Sequence, residues 1–137
     1  CSHFVVFARN NEITVETVNQ YVELIAKTRD VSVESLKPLH GMMSGFISSS
    51  TPEKLAEWAA RQTYIALGNL MTTAATLRID NCPMEGIVAA DVDRILKLNE
   101  KGCSSVVACA LGYRAADDKY AGLTKVRFPK DELFINI

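Results

Sequence analysis

Apolar residues crowd the start of the chain: His3 to Ala8 reads HFVVFA, a short β-branched and aromatic run that predicts a buried strand. Asn10, Asn11 and Glu12 break it. The period then changes. Val15, Val18, Val22 and Ile25 recur at helical spacing with Tyr21 beside them, after Thr14 as the expected N-cap and with Glu16 in the first turn. This helix should end near Arg29. Ser32 predicts a second cap, and Leu36, Leu39, Met43, Phe46 and Ile47 then share one face, with Pro38 near the first turn. GFISSST, from Gly45 to Thr51, reads as a loop or a frayed helix end. Thr51-Pro52-Glu53 is a strong helix start: a cap, a proline at the first position, and an acid at the dipole's positive end.

The third helix should run from Pro52 to about Leu77, roughly 39 Å at about 1.5 Å per residue. From Gln62 to Leu77 it is uncharged on all sides, so protein should enclose it. That length suits the spine of a larger body or of a dimer. RIDNCPMEGI follows and reads as a turn out of the helix, with Pro83 turning the chain. Ala89 to Lys97 predicts a short helix and Ser104 to Leu111 a second buried strand. A long polar connection leads to Leu133, Phe134, Ile135 and Ile137, a terminal strand candidate. Three short strands without a tight hairpin make a thin sheet, whose exposed edges more chain or a second subunit should cover.

Composition narrows the classes. The chain has 137 residues and a net charge of −1, which suits one domain and gives no global field toward nucleic acid or a membrane surface. The uncharged run is shorter than the roughly 18–20 residues of a membrane span. Cys1, Cys82, Cys103 and Cys109 form no CxxC pair, and His3 and His40 lie far from them, so no metal site is expected. Free thiols point to a reducing, cytoplasmic setting, and Cys82 and Cys109 read as small core residues. The opening residues carry no signal-peptide pattern and look like the middle of a domain. Both histidines read as packing residues; Asp91, Asp93, Asp117 and Asp118 read as caps or solvated loop acids.

Three stretches could carry chemistry. CPMEG could aim backbone N–H groups at a ligand's acceptor atoms, or be an ordinary helix-to-loop turn. In LTKVRFP, Lys125 and Arg127 alternate, so an extended chain would point both cations one way, toward a phosphate or simply into solvent. Phe46, beside Gly45 and the serine run, could cover a flat ligand or pack in the core. No Ser-His-Asp or Cys-His arrangement is suggested, so no catalytic side chain is assigned.

In order, SHFVVFAR, EWAARQTYIALGNLMTTAATLRIDNCPMEG and LNEKGCSSVVACALGYRAADDKYAGLTKVRFP resemble the oxygen-insensitive FMN-dependent nitroreductases. These are bacterial NAD(P)H-dependent flavoenzymes, some with dihydropteridine reductase activity. The likeness is loosest from Asn10 to Ser50. It implies an α+β fold, with a small mixed sheet flanked by helices in an intertwined homodimer, and FMN at the dimer interface. Pro83, Met84, Glu85 and Gly86 would then lie against the isoalloxazine ring, with N–H groups near N5 and O4. Lys125 and Arg127 would meet the phosphate, and Phe46 would lie near the mobile, substrate-covering helix. The implied activity is ping-pong hydride transfer from NAD(P)H to nitroaromatics, quinones or pterin-like acceptors. By resemblance, residues 1–137 are a single domain matching the family's C-terminal two-thirds, without the N-terminal segment that supplies an Arg-x-Ser phosphate contact and an Asn and a Lys for the ring's polar edge. The alternative is a non-catalytic truncated fragment that serves as a dimerisation or interaction module.

Overall fold

The computed structural model describes all 137 residues. Strand β1 spans His3–Asn10, and helix α1 spans Val15–Arg29. Thr14 and Thr17 close a reciprocal cap on α1: each side chain accepts the other's N–H, at 3.4 and 3.2 Å. Ser32 caps a 3-10 turn at Val33–Leu36, and helix α2 follows at Lys37–Ser48 with Pro38 in its first turn. His40 joins the two helices through a 2.7 Å contact between Nε2 and Asn19 Oδ1. Helix α3 spans Pro52–Thr76, and Thr51 accepts the Lys54 N–H at its start.

The chain leaves α3 differently from the expected turn at Pro83. Arg78 takes a left-handed φ of 58°, and Ile79 N–H reaches back to Ala74 O at 2.8 Å. The turn is therefore at Arg78, and Asp80–Met84, read from sequence as a turn, is strand β2. Pro83 fits there because β2 is an outer strand, where a missing N–H leaves no gap between two strands. Helix α4 follows at Ala89–Leu96, strand β3 at Cys103–Gly112, and a one-turn helix α5 at Lys130–Leu133. Asp30 and Lys97 repeat the Arg78 device at the ends of α1 and α4, each at φ 53°.

The sheet order is β1-β3-β2, and both pairings are antiparallel. This α+β sheet is smaller than the implied mixed one, because a parallel pair would need a fourth strand on an open edge. The expected terminal strand does not form. Leu133 ends α5, Ile135 is 88% exposed, and a strand without a partner has no hydrogen bonds to define it. At the β1–β3 pairing the register slips between Phe7 and Ala8, which leaves Val106 as the extra residue of a bulge.

Helix α3 lies on the sheet. Leu67 meets Val107 and Cys109, with Phe7, Leu70, Met71 and Leu111 packed around them. Val107, Ala108 and Cys109 are all buried, so both faces of the central strand are covered. Helix α4 is pinned to β3 by Asp93, a buried carboxylate that accepts the Ser105 N–H at 2.8 Å. The sequence reading of Asp93 as a cap or solvated acid is thus corrected. The pattern could not show a β3 N–H displaced by a bulge twelve residues on.

Enclosure of α3 is not met within one chain. Ala59, Thr63, Leu67 and Ala74 form one buried stripe, while Ile65 is 61% exposed. The chain exposes 10,639 Å², whereas a folded monomer of its 15.1 kDa mass exposes about 7,100 Å². No helix is long and apolar enough to cross a membrane.

Candidate functional site

The segment leaving β2 has the properties a ligand-facing backbone needs. Pro83 and Met84 complete the strand opposite Cys109 and Ala108. Glu85 and Gly86 follow it, both exposed. The Glu85 carbonyl accepts from Ile87 N–H at 2.8 Å, but the N–H groups of Glu85 and Gly86 donate to nothing in the chain. A Cβ added at Gly86 would meet no atom within 4 Å. The chain's own packing therefore does not require glycine there, and the space beside the two N–H groups stays open. Tyr64 of α3 donates its hydroxyl to the Glu85 carboxylate, and this bond raises the Tyr64 pKa, with burial and the Glu85 charge adding to it. The same helix holds the other part of β2 through Asn81 Nδ2, which donates to Met71 O at 3.3 Å.

The opposite end of β2 is charged. Arg114 chelates Asp80 through Nε at 2.6 Å and Nη2 at 2.9 Å. That bond holds the Asp80 carboxyl below its ordinary pKa against the burial that raises it, with the Arg114 and Lys125 charges adding to the lowering. Lys125 lines a cleft with Asp80, Cys82, Gly112, Arg114 and Tyr120. Arg127 does not line it; its Nη1 donates to the neighbouring Val126 O at 2.7 Å. The structure therefore does not bring the two cations together. Their expected shared direction assumed an extended strand, and residues 113–129 form none. From Asp80 beside Lys125 to Glu85 is about 16 Å at about 3.3 Å per strand residue.

Phe46 occupies a third place. Its ring lies 5.8 Å from that of Trp58 at 60°, and Lys54 Nζ stands 5.6 Å from its centroid. With Tyr21, Met42, Met43 and Ile47 these rings line an apolar cavity of about 760 Å³ between α1, α2 and α3. Trp58 precedes Tyr64 by six helical residues, about 9 Å at about 1.5 Å each. Phe46 and the Glu85–Gly86 segment thus touch one helix at separate points and do not share a pocket within the chain.

Cysteine positions split the sequence expectation. Cys109 is fully buried, and burial pushes its thiol pKa up. Cys82, read as a core residue, is exposed because it lies on the outer strand. Sequence reasoning also missed Tyr64 and the Asp80–Arg114 pair. Their partners lie 21 and 34 residues away, and nothing in the local pattern signals either contact.

The donor set fits a flat heteroaromatic ring with acceptor atoms along one edge, since two free N–H groups stand beside an unobstructed glycine. A phosphate would fit the Lys125 cleft less fully, because the cation has the right charge but Asp80 and Asp118 line the same cleft.

Comparison with known proteins agrees with this reading of the fold. The nitroreductase family model matches residues 41–113. A candidate NAD(P)H nitroreductase of Staphylococcus saprophyticus is 32% identical over 96% of this chain and 62% of its own length. One from Staphylococcus aureus is 36% identical over 85% of this chain and 55% of its own length. The chain therefore spans about three-fifths of the curated relatives it matches. A crystal structure of a candidate NAD(P)H:FMN oxidoreductase from Staphylococcus epidermidis superposes with a TM-score of 0.79 at 16% identity, covering 98% of this chain and 61% of that one. A nitroreductase family protein from Streptococcus pneumoniae gives a TM-score of 0.76 at 13% identity, covering 98% of this chain and 64% of that one. The matched segment holds α3, β2, α4 and β3, the elements that carry the Glu85–Gly86 site, and on that match the chain belongs to the nitroreductase family.

Proposed function

We propose that this chain provides the flavin-edge and phosphate-end contacts of an FMN-dependent NAD(P)H oxidoreductase. The observation that carries the reading is the pair of unpartnered N–H groups at Glu85 and Gly86, at the end of an outer strand and beside open space. Bound FMN would supply two-electron chemistry between a nicotinamide donor and a nitroaromatic, quinone or pterin-like acceptor. The chain's task is to hold and orient. The N–H groups of Glu85 and Gly86 donate to acceptor atoms on the ring edge, where they favour negative charge. Pro83 and Met84 fix the strand that delivers them. Lys125 and Arg127 belong to the phosphate end, with Arg127 turning from its neighbour's carbonyl once an anion is present. Phe46 covers the acceptor. No side chain acts as general acid or base.

A homodimer completes the site. Support comes from the exposed uncharged flank of α3 and from about 3,500 Å² of exposed surface beyond a monomer's expectation. A second copy also brings Phe46 to a site that its own chain keeps apart from it. Four free cysteines suit a reducing cytoplasm. The second reading is the non-catalytic dimerisation or interaction module, favoured by the separation of Lys125 from Arg127.

Titration with FMN, followed by NADH and NADPH oxidation with a nitroaromatic acceptor, tests the reading. Flavin fluorescence should quench on binding and turnover should follow. A stable dimer that leaves FMN fluorescence unchanged refutes the oxidoreductase reading and supports the interaction module.

A further inference from the structure

The flavin-edge reading gives the Glu85 backbone a task and its carboxylate none. The carboxylate is nevertheless held, because Tyr64 donates its hydroxyl to it from α3. Seven residues along, on the same helix, the Met71 carbonyl takes the Asn81 side-chain N–H. Seven residues are close to two helical turns, so both anchors stand on one face of α3. The helix therefore grips the segment twice, at Asn81 within β2 and at Glu85 just past its end. Beyond Glu85 the grip stops. Gly86 has no side chain and open space around it, and its N–H is unpartnered. That peptide is held on one side by its Glu85 carbonyl, which accepts the Ile87 N–H at 2.8 Å, and on the other by the Glu85 side chain that precedes it.

We propose that Tyr64 is a positioning residue: through the Glu85 carboxylate, its hydroxyl fixes the directions in which the Glu85 and Gly86 N–H groups point. The proposal deepens the flavin-edge reading and rests on it for its functional meaning. Tyrosine suits the role because its ring is rigid, with two side-chain torsions, and it reaches from the helix to the end of the strand. The raised Tyr64 pKa agrees, since the bond favours the protonated phenol. The same bond draws charge from the carboxylate. Without it, a bare Glu85 carboxylate would stand beside the ring edge on which reduction places negative charge, and the bound flavin's midpoint potential should fall.

Two arms test this in the full chain. In flavin-free protein, Tyr64→Phe should lower the ¹⁵N order parameter of the Gly86 amide while leaving the melting temperature unchanged. An unchanged order parameter overturns the proposal. In the second arm, FMN dissociation constants are measured for Tyr64→Phe, Glu85→Ala, Glu85→Gln and the Tyr64→Phe/Glu85→Ala double variant. Tyr64→Phe should weaken binding about 5-fold and have no further effect on Glu85→Ala. Glu85→Gln, which keeps an acceptor oxygen, should stay within about twofold of the unmodified protein. Equal losses from Tyr64→Phe in both backgrounds overturn the proposal, because Tyr64 would then act independently of Glu85. If the unmodified protein binds no FMN, the flavin-edge reading fails and the order parameter alone decides the tether.

Discussion

Replacing Asp93 with alanine deletes the carboxylate that accepts the Ser105 N–H at 2.8 Å inside the α4–β3 contact. Both residues are 8% exposed, so water cannot easily take the carboxylate's place. A buried donor left without a partner costs about 1–3 kcal/mol. Alanine recovers part of that, since it is a better helix former than aspartate by about 0.5 kcal/mol and Asp93 lies inside α4. The net expectation is a loss of about 1–2 kcal/mol. Asp93→Asn keeps an oxygen that can accept the same N–H, so it should lose about half as much or less. Urea unfolding at one fixed protein concentration measures both, with the slope checked for constancy. The midpoint should fall furthest for alanine and only slightly for asparagine. If Asp93→Ala costs less than about 0.5 kcal/mol, the bond is not holding α4 to the bulge. If asparagine is as damaging as alanine, the charge rather than the acceptor matters, and the reasoning fails in a different place.

Three other outcomes can be checked in parallel. Gly86→Val should leave stability within about 0.5 kcal/mol, because its Cβ meets nothing, yet weaken FMN binding at least about tenfold; equal damage to both, by melting and flavin titration, would contradict the open-backbone reading. Lys97→Gly should stabilise the chain by about 0.5–1 kcal/mol in the same urea assay, since lysine holds a left-handed φ of 53° at the end of α4. Asp80 has a folded pKa depressed by Arg114, so the pair's stabilisation is present above the unfolded value of about 3.9 and is lost as pH falls through the lower folded value. Carboxyl ¹³C titration of Asp80 should show that depression, and Arg114→Gln should return the group to the ordinary carboxylate range.

What could be read from sequence follows the range of each signal. Thr14 and Thr51-Pro52 are local, and they marked the starts of α1 and α3 correctly. Val107, Ala108 and Cys109 sit in an apolar run long enough to mark a covered strand. Strand β2 was hidden because proline and glycine at 83 and 86 dominate the local reading, while its partners at Ala108–Gly112 lie about 25 residues away or more. The terminal apolar residues failed the other way: Leu133 to Ile137 have strand composition but pair with neither outer strand of the sheet. At the site, Glu85 and Gly86 were visible as backbone because glycine and proline announce unusual main chain. Tyr64 was not, since a tyrosine on an amphipathic helix looks like packing whatever its hydroxyl meets. For Lys125 and Arg127, the expected shared direction rests on a period that applies only to strands, and residues 113–129 form none.

Pro83 bears on how this molecule meets another. Its ring nitrogen cannot donate, so along five residues of outer strand an arriving backbone finds the row of donors interrupted at the fourth. Ribbon growth, in which sheets of separate molecules join edge to edge, is discouraged on that side. Exposed apolar side chains such as Ile65 lie away from that edge, where fit depends on shape and can be specific. A residue that reads as a bend in the chain thus blunts one edge of the sheet.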